Sequence, residues 1–174
     1  IDTKNTTYQM KVDSYGFLLH LYYGAKVNGA MDYLLTYADR GFSGNPAEAG
    51  ADRTYSLDVL PQEYPTWGTG DYRNAALLIQ NADHSESCKL QYAGHTIKKG
   101  KYNLSGLPAV YAEENEAETL EIYMEDCVSN LKVTLLYGVV EQLDIITRSV
   151  IIENHGSENI IIEKAGSACL ELLP

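Results

Sequence analysis

Phenylalanine and tryptophan are nearly missing from this chain, with two of the first and one of the second in 174 residues. The aromatic work falls to 14 tyrosines, whose flat apolar ring and polar tip suit half-buried sheet faces and surfaces that stack on sugars or partners. Cysteine is scarce as well. Cys88, Cys127 and Cys169 are far apart and odd in number, which excludes a full disulfide framework and reads as reduced, buried thiols of a cytoplasmic protein. Cations are outnumbered, 13 Lys and Arg against 24 Asp and Glu, for a net charge of −11. A surface that tracks phosphates needs clustered cations to displace counterions, so no nucleic acid and no anionic membrane is expected as a partner. Long apolar runs are absent too: nothing approaches the roughly 20 residues that span a bilayer, and FLLHLYY sits between polar turns. A soluble protein is expected.

The chemistry-bearing patterns are equally thin. His20, His84, His95 and His155 show no H-x₃-H or C-x₂-C spacing, and a zinc site needs at least three convergent ligands, so no metal and no other cofactor is expected. There is no G-x-S-x-G, and no Ser or Cys stands in a nucleophile setting with a matched His. The Gly68-Thr69-Gly70 triplet follows Trp67 and opens no helix, unlike a phosphate-cradling loop. Retaining glycosidases need two carboxyls about 5–5.5 Å apart, and the many acidic residues nominate no particular pair.

What is present is alternation. Tyr8, Met10 and Val12 share one face of TYQMKV; Leu120, Ile122 and Met124 share one face of TLEIYME; Leu131, Val133 and Leu135 do the same in LKVTLLY. A period of two with polar partners marks strands with one wet face. FLLHLYY, AALLIQ and SVIIE are more continuous, as in strands covered on both sides. Turn signals separate them at Asp13–Gly16, Asn28-Gly29, Lys99-Gly100, Ser105-Gly106 and Asn154–Ser157. RTYSLDVL adds a strand, and MDYLLTY places the one helix, between Ala30 and Tyr37. The last two strands, DIITRSVIIEN and IIIEKAGSACLEL, join through Gly156 by a hairpin or a sheet-crossing turn. Many short strands with regular turns predict an all-β, antiparallel two-sheet sandwich, and 1–174 reads as a single domain. The first residues, IDTKNTTYQM, carry neither a signal pattern nor an initiator Met, so the numbering is expected to begin inside a longer natural chain.

Two long irregular segments remain, 37–52 and 60–74, and loops of that length in a compact domain are usually functional or disordered. In the first, Asp39, Arg40 and Arg53 bring opposite charges together around Phe42. Arginine's rigid fork of donors suits carboxylates or vicinal hydroxyls, so Asp and Arg beside an aromatic form a polyol-recognition set, or else an ion pair that merely holds a loop. In the second, LPQEYPTWGTGDYR, Trp67 can stack on a sugar ring while Asp71 and Arg73 lock the loop to itself.

Four strings go beyond composition: DRGFSGNP (39–46), SLDVLPQEYPTWGTGDYR (56–73), GLPAVYAEENEAETLEI (106–122) and DIITRSVIIEN (144–154). In order and across essentially the whole chain, they resemble the N-terminal domain of bacterial α-galactosidases of glycoside hydrolase family 36. The resemblance implies a β-supersandwich, galactose-mutarotase-like, that precedes a (β/α)₈ catalytic barrel and a C-terminal β-domain in a cytoplasmic, tetrameric enzyme. It implies a retaining double displacement on terminal α-galactosides of the melibiose and raffinose type. It also implies that the two catalytic aspartates lie on the barrel, so no catalytic residue stands in this chain and these residues alone should hydrolyse nothing. By matching motifs, Asp39, Phe42 and Arg53 fall where family members place residues near a bound α-galactoside oligosaccharide, and Trp67 is the next candidate contact. The sequence departs from the family pattern at Gly44 and Ala75, where proline is usual; each departure releases a fixed φ. The alternatives are a stand-alone carbohydrate-binding or architectural module, and part of an α-N-acetylgalactosaminidase.

Overall fold

The alternating stretches close on a common interior in the computed structural model, which describes residues 1–41 and 44–170. β1 (Thr6–Val12) and β2 (Leu18–Ala25) form an antiparallel ribbon. Asp13 fixes the turn between them, because its Oδ1 accepts hydrogen bonds from the N–H groups of Tyr15 and Phe17, both at 2.9 Å. β4 (Gln91–Lys99), β5 (Glu118–Asp126), β6 (Leu131–Val140) and β7 (Ile145–Asn154) make a four-stranded antiparallel meander in that order. β3 (Leu77–Gln80) pairs with β8 (Ile161–Ala165) as a second ribbon. The chain therefore crosses layers after β7, the sheet-crossing turn rather than the hairpin.

The all-β, antiparallel expectation holds, with the second layer divided into two ribbons. Tyr8 and Leu18 from one ribbon and Leu77 and Ile79 from the other pack with Ile122, Met124, Val133, Leu135 and Tyr137 of the meander in one buried cluster. A second cluster, with Phe17, Leu19, Leu35, Tyr55, Leu57 and Leu60, lies beneath the irregular segments. Leu18 serves one cluster and Leu19 the other, which is why the start of β2 reads as an unbroken apolar run. Each fully buried leucine contributes about 1.5–3 kcal/mol relative to exposure, so the second cluster is what seats the loops on the sandwich.

Several local expectations fail for identifiable reasons. RTYSLDVL is not a strand. Tyr55 and Leu57 are buried as the alternation implied, but the N–H groups of Val59 and Leu60 both return to the Ser56 carbonyl, so turn chemistry prevails. MDYLLTY yields only one 3₁₀ turn, Asp32–Leu34. Asp32 is held by Lys11 and the Met31 N–H by Gln9 Oε1, and so short a segment cannot offset the cost of helix nucleation. SVIIE in β7 is covered on one side only: Val150 and Ile152 pack at the margin of the core, while Ile151, on the alternate face, is 45% exposed. Of the cysteines Cys88 is buried, Cys169 is half-buried and Cys127 is exposed, so burial of all three is corrected.

Candidate functional site

The irregular segment 60–74 is anchored by a carboxylate. Glu63 is fully buried, and its Oε1 accepts hydrogen bonds from Tyr8 Oη and Tyr137 Oη at 2.6 Å and from Arg148 Nη1 at 2.7 Å. His20 Nδ1 stands 3.1 Å from Oε2, and the Arg148 guanidinium lies 4.1 Å from the centre of the Tyr137 ring. Burial alone pushes the Glu63 pKa up, but the His20 hydrogen bond, the Arg148 cation and the two hydroxyls outweigh it and hold the carboxyl below its ordinary value. Burial first, and then the Glu63 charge, raise the Tyr137 hydroxyl well above its usual range against the opposing pull of Arg148, so it remains a donor to Glu63. Nothing in the local sequence flags Glu63 as special; its partners come from β1, β2, β6 and β7, and only the assembled fold brings them together.

Beyond Glu63 the loop is clamped again. Tyr64 Oη donates to the Gly166 carbonyl at 2.9 Å, and the Cys88 N–H donates to the Trp67 carbonyl at 2.9 Å. Arg73 Nε donates to Asp71 Oδ1 at 2.9 Å and Nη2 to Oδ2 at 2.8 Å, a two-point fork on a carboxylate that is 2% exposed. The same Nη2 reaches the carbonyls of Leu57 and Leu60 at 2.9 and 2.7 Å. Burial raises the Asp71 pKa, but its hydrogen bonds from Arg73 and Gln62 bring the net shift downward. The expected self-locking of this loop is thus present.

Asp39 and Arg53 do come together. Arg53 Nη2 lies 3.1 Å from Asp39 Oδ1, with both side chains more than half exposed. The backbone beneath them is tied by the Arg40 N–H to the Arg53 carbonyl at 3.2 Å and by Arg40 Nη2 to Asp58 at 3.3 Å. Phe42 lies outside the described residues. Trp67 is 37% exposed, and its indole N–H is aimed at the Arg73 carbonyl at 3.3 Å, so the ring is held by one edge. Tyr72 was not singled out by sequence, yet it is 83% exposed and its hydroxyl borders Gly44 of the first segment. An aromatic two residues after a Gly-Thr-Gly turn is the signal that could have found it.

The arrangement offers a fork of donors, a carboxylate and exposed rings on a braced frame, which is binding chemistry. Among the described residues no cluster of His, Cys, Asp or Glu has the makings of a metal site, and no helix is long and apolar enough to cross a membrane. A separate cavity of about 380 Å³, lined by Asn81, Asp83, Lys89, Asp126 and Glu158 among others, contains none of the residues expected from sequence.

Comparison with known proteins gives a consistent answer. The pattern of the glycosyl hydrolase family 36 N-terminal domain matches residues 16–174. The chain is 61% identical over 173 residues to the bifunctional alpha-galactosidase/sucrose kinase AgaSK of Mediterraneibacter gnavus, covering 99% of this chain and 18% of that protein. The solved galactosidase domain of AgaSK superposes with a TM-score of 0.95 at 62% identity, over 98% of this chain and 24% of that one. A variant of the alpha-galactosidase AgaA from Geobacillus stearothermophilus, in complex with raffinose, superposes with a TM-score of 0.90 at 41% identity, over 97% of this chain and 23% of its own. The chain thus spans about a quarter or less of the proteins it matches, and by the extent of the match it belongs to the glycosyl hydrolase family 36 N-terminal domain family.

Proposed function

We propose that this chain is the N-terminal, non-catalytic part of a cytoplasmic α-galactosidase that hydrolyses terminal α-galactosides of the melibiose and raffinose type by retaining double displacement. The catalytic aspartates stand in a barrel elsewhere in the longer polypeptide, and the 174 residues alone are inactive. The domain supplies part of the wall that receives the sugars beyond the cleaved galactose, and it contributes to assembly of a tetramer. The family match and the alpha-galactosidase names of the relatives support the activity.

The observation that carries the wall is the exposed Asp39–Arg53 pair. Each side chain is held by the other at 3.1 Å and each retains solvent-facing hydrogen-bonding capacity, so a sugar hydroxyl can bind without either group being reorganised first. In the complete enzyme Arg53→Ala is expected to lower kcat/KM on raffinose by about 10- to 100-fold, the scale of a lost charge-assisted hydrogen bond of roughly 1.5–3 kcal/mol. An aryl α-galactoside, which lacks the extended sugar, should lose much less. Equal kinetics on both substrates would remove Arg53 from the wall and leave the domain a scaffold.

A further inference from the structure

Asn28 and Gly29 bend the chain between β2 and the 3₁₀ turn at Asp32, but they close no turn. The pair is a strong hairpin signal where two strands flank it; here β2 has already ended at Ala25 and a 3₁₀ turn follows. Among the described residues no hydrogen bond runs from the Ala30 N–H back to the Val27 carbonyl, the bond that commonly closes such a turn. The bend is held from outside instead. The Lys26 N–H donates to the Asn5 carbonyl at 2.8 Å, and the Gln9 side-chain amide clamps the exit, donating to the Gly29 carbonyl at 2.8 Å and accepting from the Met31 N–H at 2.9 Å. Between these anchors Asn28 and Gly29 are exposed. Neither the Asn28 side chain nor the Gly29 N–H makes a hydrogen bond among the described residues, and nothing lies within 4 Å of where a Gly29 Cβ would stand.

These two groups can react with one another. The Asn28 side-chain amide carbon is an electrophile, and the Gly29 backbone nitrogen is the nucleophile next to it in the chain. Glycine leaves the approach open, having no Cβ and the freest backbone rotation. The other asparagines lack this combination. None is followed by glycine. Asn74 Oδ1 accepts from Lys164 Nζ at 2.7 Å, Asn81 Nδ2 donates to the Ser87 carbonyl at 2.9 Å, and Asn154 Nδ2 donates to the Glu158 carbonyl at 2.8 Å. Asn45 precedes Pro46, which has no N–H to give up.

We propose that Asn28 is a site of spontaneous covalent modification, deamidation through a succinimide. The Gly29 N–H gives its proton to solvent hydroxide and the nitrogen attacks Cγ of Asn28. The new N–Cγ bond closes a ring, the Cγ–Nδ2 bond breaks, and Nδ2 leaves as ammonia. Water then adds to either ring carbonyl, giving aspartate when the original backbone is restored and isoaspartate when the chain is left running through the side chain. Water enters, ammonia leaves, and nothing is oxidised. Either product adds negative charge to a chain already at −11. Isoaspartate also inserts a methylene into the backbone just ahead of Gly29, which strains the two-point clamp of Gln9. The inference is independent of which glycoside the longer protein cleaves.

The test is a time course of the complete polypeptide at neutral and mildly alkaline pH, folded and unfolded in urea, read by tryptic cleavage and mass spectrometry against the zero-time sample. Cleavage after Lys26 and Arg40 releases 27–40, in which Asn28 is the only asparagine, and methyl transfer by a protein isoaspartate methyltransferase counts the isoaspartate. In the folded protein this peptide should accumulate both products within about tenfold of the urea-unfolded rate, because no protecting structure has to open first. The rate should rise with pH, since the nitrogen must lose its proton to attack. Peptides carrying Asn74, Asn81 and Asn154 should stay unmodified over the same period, and Asn28→Ser should remove the product. Conversion confined to the urea sample would overturn the proposal. So would aspartate without isoaspartate, because a succinimide opens both ways whereas direct hydrolysis of the side-chain amide yields aspartate alone.

Discussion

Gly70 lies against Gly44 so closely that a Cβ built on Gly70 would stand 1.9 Å from the Gly44 carbonyl oxygen and 2.8 Å from its carbonyl carbon. This contact joins the two irregular segments directly, backbone to backbone. Gly70 also has φ +89, a conformation that other residues adopt only with strain. The loop bearing Asp39 and Arg53 and the loop bearing Trp67 and Tyr72 are therefore one surface, braced at a point where no side chain fits. Tyr72 Oη beside Gly44 lies on the same seam.

Gly70→Ala is expected to separate the two loops. The methyl group meets backbone rather than a flexible side chain, and the positive φ adds its own strain, so the combined cost should be about 2–4 kcal/mol. Urea unfolding of wild type and variant measures that loss. Under the proposed function, raffinose turnover in the complete enzyme should fall as well, through KM more than kcat, because the proposed wall moves while the catalytic groups do not. A variant of unchanged stability would mean that the loops do not touch at Gly44 and Gly70.

Arg73→Lys keeps the charge and removes the fork. The guanidinium serves both Asp71 oxygens and two main-chain carbonyls, whereas a lysine ammonium is a point charge that cannot reproduce this planar set. Asp71 is then a nearly buried carboxylate with fewer donors, and a loss of about 2–3 kcal/mol is expected from the missing charge-assisted bonds. Thermal denaturation checks it. Wild-type stability in Arg73→Lys would show that charge alone, and not the geometry of the fork, closes the loop.

Much of this was legible in the sequence, but unevenly. Period-two alternation located β1, β5 and β6, since a half-buried strand displays its faces locally. The Asp71–Arg73 lock was legible because the partners are two residues apart. Alternation misled at Tyr55 and Leu57, which are buried in the second cluster by a turning chain rather than by a strand. The apolar run at β7 also misled, because a continuous hydrophobic strand implies two covered faces and β7 has its cover on one. The Glu63 cluster was illegible for a physical reason. Its partners Tyr8, His20, Tyr137 and Arg148 lie up to 85 residues away, and no local spacing encodes a meeting that topology alone creates.

That cluster gives the most discriminating pH experiment. The Glu63 carboxyl titrates below its ordinary value, so its charged interactions stabilise the fold above the unfolded-state pKa near 4.3 and are lost as pH falls through the lower folded-state value. Glu63→Gln keeps the size but cannot carry the charge, leaving Arg148 as a buried cation without its counterion. The expected cost at pH 7 is about 3–5 kcal/mol. Asp71, Glu48, Glu121 and Asp144 also have lowered pKa values, but wild type and variant share them, so they cancel in the difference. The stability gap between the two proteins should hold from pH 7 to about pH 5 and narrow below about pH 4, as wild-type Glu63 takes up its proton. Tyr137→Phe offers a milder version: it removes one 2.6 Å donor, costs about 1–2 kcal/mol and shifts the acid limb of the stability curve to higher pH. Urea denaturation at a series of pH values reads both variants. A gap for Glu63→Gln that stays constant down to pH 3, with an unmoved acid limb for Tyr137→Phe, would mean that Glu63 is not ionised in the folded protein.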